Sequence, residues 1–145
     1  MKLLEKGIII RKTAETDLQQ IYAEGRGEPL FLNMPFAFTA ENLAVIFASD
    51  KSICFTAARK KKILGFIIGS VENNESVIHW MMVKEKLRGA GIGQELLKQY
   101  METSKKNGTL KFLITVSKNN TESVKFFTGY GFSGEDTLVQ LKLKF

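Results

Sequence analysis

The segment Arg88-Gly89-Ala90-Gly91-Ile92-Gly93 constrains the chain more than any other. The β-rich run Ser76 to Val83 ends just before it, and an amphipathic run to about Lys106 follows it. In that run Ile92, Leu96 and Tyr100 recur at four-residue spacing, as do Gly93, Leu97 and Met101, which is the spacing of helix neighbours. Asn107-Gly108 is a good helix stop, and Leu110 to Val116 is again β-rich. A strand, a glycine-rich turn, a helix and a second strand across residues 76–117 require a right-handed crossover.

The flanking sequence fits around that unit. Ile8-Ile9-Ile10 is a first strand ended by Arg11-Lys12, and Thr13 is placed to cap a helix through about Glu24. Gly25 and Gly27 stop that helix, and Arg26 to Phe38 is irregular but rich in Phe, Leu and Met, including Leu30, Phe31, Leu32, Met34, Phe36 and Phe38. Thr39 caps a second helix with Leu43, Ile46 and Phe47 on its apolar stripe. Ser52 to Arg59, Ile63 to Glu72 and Ser76 to Val83 read as strands joined by the short turns Lys60-Lys61-Lys62 and Asn73-Asn74, hence antiparallel neighbours. Asn119 or Asn120 caps a last helix carrying Val124, Phe126 and Phe127, and Leu138 to Phe145 alternates as a terminal strand. The predicted order is β-α-α-β-β-β-α-β-α-β in one mixed α/β domain spanning residues 1–145.

Composition excludes several classes. The 145 residues are 44% hydrophobic and 25% charged, enough to bury a core. One cysteine, Cys54, rules out an internal disulfide framework, and its apolar strand context places it in the core. With His79 as the single histidine, no ordinary zinc site is expected, and no metal is expected at all. The net charge of +6 suits an anionic ligand, yet the basic residues are scattered and lack interleaved stacking aromatics, which disfavours nucleic acid. No apolar run spans a bilayer, and Met1 to Gly7 is charged too early for a signal peptide, so no membrane association and cytoplasmic residence are expected.

A turn of this kind at a helix start leaves several backbone N–H groups unpaired and pointing one way, with the helix dipole adding positive charge. Glycines let an anion approach, and Arg88 adds a charge-assisted donor. A Walker A loop would continue with Lys and Ser or Thr, whereas Gln94-Glu95 follows Gly93. A dinucleotide turn would space its glycines differently and follow an early strand. A tight turn with no ligand and a phosphate cradle both remain open on these residues alone.

Val83-Lys84-Glu85-Lys86-Leu87-Arg88-Gly89-Ala90-Gly91-Ile92-Gly93 resembles the acetyl-CoA pyrophosphate loop of GNAT-type N-acetyltransferases, whose Arg/Gln-x-x-Gly-x-Gly/Ala pattern is met by Arg88, Gly91 and Gly93. Asn120-Thr121-Glu122-Ser123-Val124-Lys125-Phe126-Phe127-Thr128-Gly129-Tyr130-Gly131-Phe132 is similar to a second family segment, in the right order downstream. The resemblance implies a mostly antiparallel sheet with a central, splayed parallel strand pair and helices on both faces. It implies acetyl-CoA as cosubstrate and a small-molecule or peptide amine as acceptor, with a homodimer compatible. Backbone amides of Arg88, Gly89, Ala90, Gly91, Ile92 and Gly93 would hold the pyrophosphate. Main-chain groups of Met82 and Val83 would pair with the pantetheine arm, Asn120 would bond it from the other side, and Ser123 and Phe127 would lie beside it.

Direct acyl transfer to an amine needs a base, donors where charge develops, and preferably an acid for the leaving thiolate. The candidate base is His79, which by strict alternation shares a face with Met81 and Val83. Glu72 and Glu85 are weaker candidates at strand ends, and Glu24, Glu28 or Glu72 could attract a cationic amine. Phe127 stands where the family usually carries a tyrosine acid, which leaves Tyr130 as the nearest, weak candidate acid. That departure also admits an alternative, a non-catalytic CoA-binding module. The apolar loop Arg26 to Phe38 would either line an acceptor slot or simply cover the sheet.

Overall fold

Ile8–Lys12 (β1), Ser52–Arg59 (β2), Lys62–Glu72 (β3), Glu75–Val83 (β4), Lys111–Ser117 (β5) and Leu138–Lys144 (β6) form one six-stranded sheet in sequence order. The computed structural model describes residues 2–28, 31, 36–117, 120–134 and 138–144. Every neighbouring pair is antiparallel except β4 and β5, which run parallel as the crossover requires. The β3–β4 hairpin turns on Asn73 and Asn74, both at positive φ (51° and 66°), the backbone that matches strand twist in a two-residue hairpin. Of the expected residues in the irregular loop, Leu30, Leu32 and Met34 lie outside the described set, as does the alternative cap Asn119.

Helices cover both faces. On one face the long helix Ile92–Lys106 (α4) buries Ile92, Leu96, Leu97 and Tyr100 against the sheet, joined by Phe127 of Thr121–Gly129 (α5). On the other, Leu18–Gly25 (α2) and Ala40–Ala48 (α3) pack Ile21 and Leu43 against Phe66, Ile68 and Trp80. A short N-terminal helix, Lys2–Glu5 (α1), which the sequence pattern did not predict, contributes buried Leu3 to the first core. Cys54 belongs to the second core, where burial pushes its thiol up to about 11, so it is inert at neutral pH.

Thr39 caps α3 as expected, accepting from the Asn42 N–H at 3.0 Å. Thr13 does not cap α2: it is buried, and its hydroxyl bonds that of Thr56 at 2.7 Å. The chain enters α2 through a 3-10 turn, Glu15–Asp17, and the Asp17 carboxylate accepts from the Ala14 N–H at 2.7 Å. Arg11 grips the same carboxylate at 2.6 and 3.0 Å and holds it below the usual carboxylate range.

Beneath the start of β4 lies a buried hydroxyl cluster. Ser76 bonds Tyr100 at 2.8 Å and Ser104 at 3.2 Å, and the Tyr100 hydroxyl also donates to the Val77 carbonyl at 3.1 Å. Gly69 is required there, because a Cβ would collide with the Tyr100 hydroxyl and the Val77 carbonyl. The cluster ties α4 to the last part of β4 that is still paired on both sides.

Candidate active site

Pairing between β4 and β5 stops early. The parallel ladder runs from Glu75 opposite Lys111 to Ile78 opposite Ile114 and no further. At the same point the ladder with β3 slips: Gly69 faces Ile78 but Ile68 faces Trp80, so His79 is a surplus residue in β4. Such a bulge bends its strand, sharpens the local twist and leaves the extra residue outside the ladder. Beyond it, β4 stays on β3 while β5 departs. A cavity of about 630 Å³ opens between the two strand ends.

The bulge corrects the expected facing of His79. Met81 and Val83 pack with the α4 core, whereas Trp80 and Met82 pack with the α2–α3 core. The His79 ring lies on the latter side, 5.2 Å from the Phe36 ring and 5.7 Å from that of Trp80, while Phe36 and Trp80 stack at 5.4 Å. His79 Nε2 is 3.2 Å from the Ser70 hydroxyl. Burial holds the imidazole below the usual histidine value, so it is neutral at pH 7 and able to accept a proton.

The opposite end of the cavity is made of main chain. Gly89 (φ 86°) and Gly91 (φ 94°) adopt the left-handed backbone, and a Cβ at either would stand in open space on no neighbour. The first amide of α4 to find an acceptor in the helix is that of Glu95, which donates to Gly91 at 3.1 Å. The N–H groups of Ile92, Gly93 and Gln94 therefore have no partner within the helix and add to its positive end. Ile92 itself turns its side chain into the core, so its contribution to the cradle is its amide alone.

Met82, Val83, Arg88, Gly89, Ala90, Gly91, Gly93, Asn120, Ser123 and Phe127 all line the same cavity as His79. The two main-chain carbonyls singled out on β4 face opposite ways. That of Met82 sits on the β3 side, 2.8 Å from where a Cβ of Gly65 would stand, whereas that of Val83 accepts from Arg88 Nε at 3.0 Å. Asn120 caps α5, its side-chain oxygen accepting from the Ser123 N–H at 3.1 Å. Phe127 is buried between Phe126 and Phe132, with edge-on rings at 5.1 and 5.3 Å. Tyr130 is not brought in: it ends α5 with its ring 5.2 Å from that of Phe126, 39% exposed and outside the cavity lining. Glu72 and Glu85 are exposed and also lie outside it, Glu72 facing Lys51 at 3.7 Å.

Reading the sequence missed Trp80, Met81 and the Ile114–Val116 wall of β5. No motif marks them, because a gap between strands is lined by whatever stands on the strands.

Three described residues between α2 and α3 lie near β4 and the turn after it. Glu28 meets Arg88 (3.6 Å), Phe31 meets Phe66 (6.3 Å between rings), which pairs with Met82, and Phe36 meets His79. Among the described residues no helix is long and apolar enough to cross a membrane.

A family model described as the acetyltransferase (GNAT) family matches residues 16–132. The solved structure of the PaiA N-acetyltransferase from Thermoplasma acidophilum, in complex with coenzyme A, is similar to the chain with a TM-score of 0.81 at 19% identity, covering 95% of this chain and 99% of that one. Ard1 from Thermoplasma volcanium gives a TM-score of 0.81 at 18% identity, with 95% and 97% covered. The ribosomal-protein-S18-alanine N-acetyltransferase from Escherichia coli gives 0.80 at 17% identity, with 94% and 93% covered. At such identities the likeness is one of fold. No curated protein sequence matches the chain.

Proposed function

The chain belongs to the acetyltransferase (GNAT) family, and from that premise we propose that it transfers an acetyl group from acetyl-CoA to a primary amine of a small molecule or peptide, by direct attack within a ternary complex. The observation that carries this reading is a coincidence of three features. The bulge at His79, the end of the β4–β5 ladder and the amide cradle at α4 all open onto one cavity.

The residues present fit the coenzyme. Open, left-handed glycines and unpartnered helix amides suit a pyrophosphate, and Arg88 adds a cation beside them. The Val83 carbonyl faces the gap, so Val83 is better placed than Met82 to pair with an extended arm by its main chain. Asn120 and Ser123 flank the opposite wall. Acetyl-CoA supplies the activated acyl carbon and a thiolate that departs.

Among the described residues lining the cavity, His79 is the one assigned to take a proton from the attacking amine, directly or through water. Main-chain N–H groups freed from the ladder by the bulge are assigned as donors to the developing negative charge. As the new C–N bond forms and the C–S bond breaks, the amine proton passes to His79 and the electron pair leaves with sulfur. Phe127 offers no hydroxyl, and a thiol of pKa about 8.5 can leave unaided, though more slowly than with an acid. Phe31 and Trp80 give the cavity apolar ring walls near this end, which favours an amine carried on an apolar body.

The buried, hydroxyl-free Phe127 also favours a second reading, a module that binds CoA without turnover. Calorimetry with acetyl-CoA tests the binding step. Release of free CoA thiol across a panel of alkyl, arylalkyl and peptide amines tests the reaction. Steady release with any of them eliminates the module, binding without release eliminates the enzyme, and no binding at millimolar acetyl-CoA eliminates both.

A further inference from the structure

Arg88 is already engaged by carboxylates. Its guanidinium lies 3.6 Å from Glu28, on the loop after α2, and 3.8 Å from Glu122, in the first turn of α5. Its Nε meanwhile donates to the Val83 carbonyl, which fixes the fork over the mouth of the cavity. The two acids differ in setting. The Glu28 side chain is 14% exposed and that of Glu122 is 79% exposed, and both residues line the cavity. One helical turn before Glu28, Glu24 pairs with Lys84 at 3.2 Å, so two acids of the α2 end meet two cations of the segment entering the cradle.

Resting on the acetyl-CoA reading above, we propose that Glu28 is a resident stand-in for phosphate: its carboxylate occupies Arg88 until a phosphate ester of the coenzyme displaces it, and it thereby sets coenzyme affinity. A planar fork that accepts a carboxylate also accepts a phosphate oxygen pair, and it cannot serve both fully at once. The half of the pair that is shielded from water is the one that competes, because exposed ion pairs contribute little. The competition has a chemical signature. It acts only on ligands that carry phosphate, since the pantetheine arm alone has no claim on Arg88.

The test compares binding of CoA with that of S-acetylpantetheine, which lacks phosphate. Glu28→Gln keeps the shape and removes the charge. We expect it to tighten CoA about fivefold and to leave S-acetylpantetheine unchanged, with the CoA gain shrinking as salt rises. Glu122→Gln, at the exposed partner, moves CoA by less than about twofold. A Glu28→Gln protein that binds CoA as the parent does, binds it more weakly, or tightens both ligands alike overturns the proposal. Thermal melts establish that the variant is folded, and Glu28→Ala takes its place if it is not. A parent chain that binds neither CoA nor acetyl-CoA refutes the underlying reading instead, whereas a parent that binds with an indifferent Glu28 refutes this inference alone.

Discussion

The two ends of the cavity are built from different materials. At the α4 end the groups proposed to bind are backbone amides, held by glycines whose side chains are absent. At the bulge end they are side chains, His79 pressed between Phe36, Trp80 and Ser70. A backbone site tolerates no intruding atom but makes little demand on its neighbours. A side-chain site depends on everything packed around it, because the environment decides the charge state of the imidazole. Damage at one end should therefore abolish binding, and damage at the other should slow chemistry while sparing binding.

The largest expected effect is at the cradle. Gly91→Trp forces a bulky side chain into left-handed backbone and over the amides, and should weaken acetyl-CoA about a thousandfold by calorimetry in a protein whose circular dichroism is unchanged. Retained affinity would break the contrast outright. Next, His79→Ala should lower kcat about a hundredfold near neutral pH and less in acid, where the parent imidazole is itself protonated, with the acetyl-CoA Kd unaltered. Loss of coenzyme binding in that variant would mean that the two ends are not separable. Phe127→Tyr should raise kcat about fivefold if thiolate departure limits turnover, again without a change in Kd. Pre-steady-state thiol release distinguishes this from a packing effect.

The smallest effect sharpens the comparison most. Phe36→Ala admits water to the imidazole, so the acid limb of the kcat profile should move up toward the ordinary histidine value and the rate at about pH 6.5 should fall by up to about twofold. The same shift has a stability counterpart. Burial depresses the folded-state value below the unfolded one, so below about pH 6.5 the unfolded chain binds the proton more readily and stability falls with further acidification. Denaturant titrations at pH 5 and pH 7.5 should show that loss in the parent and a smaller one in Phe36→Ala.

The contrast also explains what the sequence made legible. Gly89, Gly91 and Gly93 before a helical stripe announce a tight strand-to-helix turn with free amides, and the cradle reading comes only from pairing it with the downstream segment 120–132. The strands β2 and β4 lie within a residue of their expected bounds, and α4 ends at the expected Lys106, for a similar reason: their turns carry Asn, Gly and Lys between apolar runs. The facing of His79 was not legible. Ile78-His79-Trp80-Met81-Met82-Val83 is apolar at both parities, since helices cover both faces, and a run without polar alternation cannot reveal a slipped register. Thr13 failed as a cap for a comparable reason. A neighbouring strand offered its hydroxyl a buried partner in Thr56, and Asp17 took the amide instead.

The surplus residue in β4 has an evolutionary and engineering corollary. The strand holds nine residues, and its opening depends on one of them having no counterpart. Excising a single position between Ile78 and Trp80 would restore the pleat, let the neighbour zip alongside to the tip, and weld the reaction chamber shut. Most one-residue indels in a domain like this lengthen or trim a surface connection; this one would turn a catalyst into an inert scaffold with a sounder sheet.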